Sequence, residues 1–209
     1  MISGLFNFFA SGGVFMIPLV ICSIVSVAFI VERGLALRRD NVIPISLYHS
    51  ITRLKMGAPT TQIQQLAAPG TTTLARLVRI CLEHLPWSKA ENVEAVQTQA
   101  RSEISKLERG LVVLEITTGV APLLGLLGTA AGLITVFANI GETGLDSGQG
   151  MAIAKGISEA LNTTVTGLVI AIPSLIAHSY YTKRIEAMAV EMESLCMDFL
   201  AKCYLTSEQ

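Results

Sequence analysis

Charge is scarce in this chain. Asp, Glu, Lys and Arg make up only 15% of its 209 residues, against 51% hydrophobic. The mean hydropathy of +0.57 is too apolar for a soluble domain of this length. No charged side chain occurs from Met1 to Val31, from Ile116 to Gly141 or from Ala160 to Thr182, and each run exceeds the ~20 residues a helix needs to cross a bilayer. The expected fold is all-α, a polytopic membrane protein with three transmembrane helices. A basic surface is missing too. With a net charge of −1, the chain lacks the cation patch that neutralises phosphates, so no nucleic-acid partner is expected.

Catalytic signatures are also missing. There is no H-E-x-x-H, G-x-S-x-G, P-loop or dinucleotide fingerprint. The spans offer neither a nucleophile with its base, nor paired aspartates, nor a metal-binding helix of the kind an intramembrane protease uses. No enzymatic activity, cofactor or metal is expected. The four cysteines lack C-x-x-C spacing, and Cys196 and Cys203, seven residues apart, read as packing on one helical face.

The charges that do occur are unevenly placed. Every Lys and Arg except Lys155 lies in segments 32–115 and 183–209. The positive-inside rule makes those segments cytoplasmic, with the amino terminus outside and the carboxyl terminus in the cytoplasm. No Lys or Arg precedes the first run, while Glu32, Arg33, Arg38 and Arg39 follow it, so that run is expected to be an uncleaved anchor. Arg33, Arg38 and Arg39 then serve as anchors at the cytoplasmic interface. The expected order is an outer interfacial segment (1–13), a first transmembrane helix (14–31), a cytoplasmic helical insertion (32–110), a second span (111–139), an outer loop (140–151), a third span (152–181) and a cytoplasmic helix (182–209).

Pro44, Pro59, Pro69 and Pro86 divide the insertion into short helices. A capping box, Ser88-Lys89-Ala90-Glu91, opens a helix whose apolar positions Val93, Val96, Ala100, Ile104, Leu107 and Leu111 continue into the second span. That spacing predicts one helix from Lys89 to near Asn139, on the order of 75 Å at about 1.5 Å per residue. The Gly-rich link from Gly141 to Gly150 makes spans two and three antiparallel neighbours. Beyond span three, Ile185, Met188, Met192, Leu195, Phe199 and Cys203 keep helical spacing. Two of the three transmembrane helices are thus expected to extend far into the cytoplasm.

Within the spans, small and polar residues are abundant. Thr118, Pro122, Gly125, Thr129, Gly132 and Val136 recur every third or fourth position. On a helix they form one stripe, which suits either a narrow polar path or close helix packing. Gly128-x-x-x-Gly132 fits the small-x-x-x-small pattern of close pairs. In the third span Glu159, Thr163 and Thr166 share a face, beside a small-residue face of Ala160, Thr164, Gly167, Ala171 and Ser174. Glu159 is near the outer end, where it serves either a function or a helix-end cap or salt bridge. A single membrane Thr satisfies itself on the carbonyl one turn back, but hydroxyls on two facing stripes can hydrate an ion path. Pro173, mid-span, predicts a kink.

Three blocks together carry a resemblance: Glu32 to Arg39 (ERGLALRR), Ala121 to Thr129 (APLLGLLGT), and Gly156 to Leu161 (GISEAL) with Thr164, Gly167, Leu168, Ala171, Ile172 and Pro173 after it. They resemble the MotA/TolQ/ExbB proton channel family, most closely its ExbB members. The resemblance implies a subunit of the bacterial inner membrane that assembles as a homo-oligomer, a pentamer. The ring would enclose ExbD-like single-span helices and use the proton gradient to power TonB-like work at the outer membrane. It implies that Thr129, Glu159 and Thr164 face the central pore, with Thr163 the alternative to Thr164, and that membrane lipid surrounds the ring. A TolQ-like role in envelope constriction and, from a different class, a structural scaffold without a conducting pore stand beside it. The spans contain no mid-membrane acid, so the titrating carboxylate is expected on a partner helix, with this chain as a hydroxyl-lined sleeve.

Overall fold

The computed structural model describes residues 13–56, 58–143 and 149–204. The expected outer segment 1–13 thus lies outside the described residues except for Gly13, as does the middle of the expected outer loop, 144–148. The helices are α1 (Met16–Ala36), α2 (Arg39–Val42), α3 (Ile45–Thr52), α4 (Thr61–Ala67), α5 (Thr73–Glu83), α6 (Lys89–Glu108), α7 (Leu111–Thr143) and α8 (Gln149–Tyr204). No strand occurs among the described residues. Three helices, Met16–Ala36, Leu111–Ala138 and Ile153–Tyr204, are long and apolar enough to cross a membrane, with mean hydropathies of 2.0, 2.0 and 1.7. The chain is an all-α polytopic membrane protein.

Two compact units divide the chain, residues 1–32 with 111–179 and residues 33–110 with 180–209. The first holds the apolar parts of α1, α7 and α8. Its buried apolar core is small, with Met16, Leu19, Ala121, Ile170 and Ala171 packed together and Cys22 and Leu124 at the edge. Ser26 on α1 and Ser174 on α8 are buried and bonded to each other at 2.6 Å. Because Ser174 donates to the Ile170 carbonyl at 2.8 Å, Ser26 is the donor of the pair, and both hydroxyls are satisfied without water.

The second unit is a helical bundle in which Leu37, Leu47, Ile51, Leu74, Leu77, Ile185, Met192 and Phe199 are fully buried. Pro44 stands at the N-cap of α3. The Thr72 hydroxyl accepts from the Ala75 N–H to start α5, and the capping box expected at Ser88 opens α6, with both of its reciprocal bonds formed. At the far end of α8, Lys202 donates to the Ile51 and Thr52 carbonyls and to Asp198, closing the last turn of α3.

One expectation is corrected. The helix predicted from Lys89 to Asn139 is interrupted at Arg109 and Gly110, giving α6 and α7. Arg33 supplies the physical reason. Its guanidinium donates to the Leu107 carbonyl at 3.1 Å, the acceptor that would otherwise take the Leu111 N–H. Its side chain also fills the space that a Cβ on Gly110 would need.

Candidate functional site

The stripe on α7 packs against α8. A Cβ on Gly125 would lie 2.8 Å from the Thr163 carbonyl oxygen and 2.9 Å from Thr164 Cα, and one on Gly132 would lie 2.8 Å from Ala160 Cβ. Gly128 faces the Thr163 side chain, with 2.7 Å between such a Cβ and the hydroxyl oxygen. On α8, Gly167 meets the Ala121 carbonyl oxygen at 2.5 Å by the same measure, and Gly156 leaves room for Val136. Small residues therefore bring these backbones together along the length of the hairpin, the close approach that small-x-x-x-small patterns permit.

At the middle of this seam three hydroxyls converge. The Thr129 hydroxyl is 3.2 Å from the Gly125 carbonyl oxygen and 3.0 Å from that of Ala160, and it is hydrogen-bonded to the Thr164 hydroxyl. Thr164 is also 3.1 Å from the Gly125 carbonyl oxygen. Thr163 reaches the same two carbonyls, at 3.1 Å and 2.7 Å. Three hydroxyl protons thus share two carbonyl oxygens, and every donor has an acceptor. Thr163 is 1% exposed, whereas Thr129 and Thr164 are only half-buried. Elsewhere, Thr118 bonds back to the Leu114 carbonyl at 2.9 Å and Thr166 to that of Asn162 at 2.8 Å, the self-satisfied arrangement of a packing threonine.

Pro122 and Pro173 lie inside α7 and α8. Each removes one backbone N–H, leaving the Thr118 and Val169 carbonyls without their usual helical donors. Ala171 is buried in the small core with α1.

A cavity of about 500 Å³ opens beside the seam, lined by Gly128, Gly132, Thr135, Lys155, Glu159 and Thr163 among others. Glu159 is half-buried there and pairs with Lys155, one turn earlier on α8, at 3.9 Å. The three arginines placed after the first span differ in their settings. Arg33 is seated on Leu107. Arg39 pairs with Glu191 at 2.5 Å and lies over the Tyr48 ring, and Arg38 is exposed at the N-cap of α2.

Some features were not anticipated from the sequence. Glu103 is fully buried, accepting from Arg76 at 2.5 and 2.8 Å, from Lys106 at 2.7 Å and from Gln99 at 3.1 Å. Burial alone would raise its carboxyl, but the hydrogen bonds and charges of Arg76 and Lys106 outweigh that and hold it below its ordinary value. Asn92, also buried, donates to the Cys81 carbonyl and the Tyr204 hydroxyl, tying α5, α6 and the end of α8 together. Cys196 packs as expected, and its hydrogen bond to Cys81, together with burial, pushes the Cys81 thiol far up.

A helical protein with three candidate spans and a hydroxyl cluster on a glycine-packed hairpin has the design of a multi-pass membrane protein whose helices associate through small residues and hydrogen bonds. The comparisons specify the class. Residues 72–194 match the family model of the MotA/TolQ/ExbB proton channel family, and the chain belongs to that family. It is 34% identical over 200 residues to the putative biopolymer transport protein ExbB-like 1 of Synechocystis sp., covering 92% of this chain and 73% of that one. It is 30% identical over 161 residues to the biopolymer transport protein exbB1 of Vibrio cholerae, with 76% and 70% covered. With the biopolymer transport protein ExbB of Xanthomonas campestris it shares 33% identity over 112 residues, 53% of this chain and 44% of that protein.

Proposed function

We propose that this chain is the proton-channel or stator subunit of a bacterial inner-membrane complex that uses the proton gradient to power transport across the outer membrane. In this reading it is ExbB-like, not an enzyme. It forms a homo-oligomeric ring, a pentamer, around ExbD-like single-span helices and works with a TonB-like protein. Its amino terminus is periplasmic and its carboxyl terminus cytoplasmic. Thr129 and Thr164 supply the hydroxyl lining and Glu159 the polar mouth, while Thr163, buried against Gly128, holds the hairpin together. The partner helix brings the carboxylate that binds and releases the proton.

The observation that carries this reading is the hydroxyl cluster. A packing threonine needs only the carbonyl one turn back. Thr129 makes that bond, to Gly125, and adds bonds to Thr164 and to the Ala160 carbonyl, and Thr164 reaches across to Gly125, while both remain half-buried, so their oxygens stay open on one side to water or to a partner's acid.

The same bonds favour a second reading, a scaffold in which the hydroxyls only fasten α7 to α8. Valine separates the two. Thr129→Val and Thr164→Val keep shape and remove the hydroxyl, and Glu159→Ala removes the carboxylate. Under the channel reading each variant assembles normally and loses most energy-coupled transport in cells lacking the native chain. Assembly with full coupling in all three variants rejects the pore assignment and leaves the scaffold.

A further inference from the structure

We propose that Lys155 is the ion-specificity residue of this hairpin, closing the Glu159 cavity to alkali-metal cations while leaving it open to protons. The inference rests on the reading of the hairpin as an ion path and names what that path selects.

Residues 1–32 and 111–179 contain one Lys or Arg, and it is Lys155. Its side chain is 77% exposed at the mouth of the cavity, with Nζ 3.9 Å from Glu159 Oε1. Among the described residues, Lys155 and Glu159 are the only ionisable side chains lining the cavity. The other side-chain oxygens facing it belong to Thr135 and Thr163. Both hydroxyls spend their protons on carbonyls, Thr135 on that of Ala131 at 3.0 Å and Thr163 on those of Ala160 and Gly125, which leaves each oxygen able to accept.

A carboxylate with hydroxyl oxygens beside it is a hard-oxygen set, the kind that replaces the hydration shell of a small metal cation. Without Lys155, the cavity would hold an uncompensated carboxylate with hydroxyl oxygens in the same lining. With the ammonium in place the carboxylate already has its counter-charge. An arriving sodium or potassium ion then meets a positive charge 3.9 Å from the carboxylate it would have to reach. A proton needs no such seat, because it passes along hydrogen bonds between hydroxyls and water and adds to a carboxylate oxygen directly. Lys155 and Glu159 lie one turn apart on α8, so the helix backbone sets the pairing.

The test is carbodiimide labelling of Glu159, which consumes the protonated carboxyl and is blocked by a cation bound to it. Full-length chain, purified from membranes with its co-purifying partners, is labelled at one pH with sodium or choline at equal ionic strength, and the Glu159 peptide is read by mass spectrometry. The native chain should label at the same rate in both salts. In Lys155→Gln and Lys155→Met, sodium should slow labelling by about tenfold, the size expected when one charge at this distance is removed from a partly hydrated site. Lys155→Arg should restore indifference. Sodium-independent labelling in both neutral variants, each with native helicity and oligomer size, overturns the proposal, as does sodium protection of the native chain. These outcomes are separate from loss of the channel reading, which the valine variants decide through transport and without reference to sodium.

Discussion

In the unit formed by residues 33–110 and 180–209, the fully buried side chains are large, among them Phe199, Leu37, Ile43, Leu77 and Met192. In the unit formed by residues 1–32 and 111–179, a small apolar set that includes Met16, Leu19, Leu114 and Ile170 is buried beside many small or polar residues, among them Ser26, Thr117, Thr163, Ser174, Ala121 and Ala160. Ile17, Ile24, Leu123, Ile134, Phe137 and Val169 there are all more than half exposed. The contrast reflects the solvent of each. In water, apolar area is driven inward and large side chains make the core. In lipid the tails are as apolar as leucine, so large side chains gain only packing contacts by burial. Helices then associate through close backbone approach and hydrogen bonds. The glycine seam, the serine pair and the threonine cluster, together with a small apolar set around Leu19 and Ile170, make up that interior.

The largest test of this contrast is truncation of matched phenylalanines. Phe199→Ala empties a fully buried position and should cost about 3–5 kcal/mol. Phe137→Ala, at 67% exposure, should change stability by less than about 0.5 kcal/mol. The single tryptophan, Trp87, belongs to the same unit as Phe199, so thermal unfolding followed by its emission in mild detergent reads the first variant directly. Hydrogen exchange along α7 reads the second. Equal losses would mean that both units are held by the same force.

A smaller effect of opposite character is expected at the glycines. Gly167→Ala drives a methyl into the Ala121 backbone and should destabilise the hairpin by about 1–3 kcal/mol, as overpacking does. Gly119→Ala on α7 meets nothing within 4 Å and should be neutral or slightly stabilising through helix propensity. Hydrogen exchange of α7 and α8 in the two variants checks the pair. If Gly167→Ala is silent, the seam is not what holds these helices together.

The three spans were legible because an uncharged run is a one-dimensional signal. The capping box at Ser88 and the breaks at the prolines were legible because they are local. The α7 stripe was legible as a face, but its partner was not. Periodicity shows that Gly125, Thr129 and Gly132 align, while only the fold shows that they meet Ala160, Thr163 and Thr164. Thr163 and Thr164 are adjacent and chemically alike, so which is enclosed depends on the rotation of α8. The break at Gly110 was hidden because apolar spacing continues through it and the residue that seats there, Arg33, is 74 positions from Leu107. Expectation and structure therefore part where a contact is long-range.

Glu103 is the hardest case of that kind and the last test of the comparison, since it is a charge buried in the unit whose large buried side chains are hydrocarbon. On α6 it reads as one more solvated acid, and its main partner, Arg76, is 27 positions away. The Arg76 and Lys106 side chains remain 33% and 49% exposed, so water can take them over when the carboxylate is removed. Glu103→Gln should for that reason cost only about 1–2 kcal/mol, less than breaking a fully enclosed pair. Its pH dependence identifies the cause. Because the folded carboxyl titrates below its ordinary value of about 4.3, its contribution is complete above that pH and is lost as pH falls through the lowered folded value. Trp87-monitored unfolding of the native chain should therefore weaken on acidification below about pH 4, and the part of that slope due to Glu103 should vanish in Glu103→Gln. A variant with an unchanged acid slope would show that Arg76 and Lys106 merely neighbour the carboxylate. The charge would then be tolerated in this core rather than holding α5 to α6.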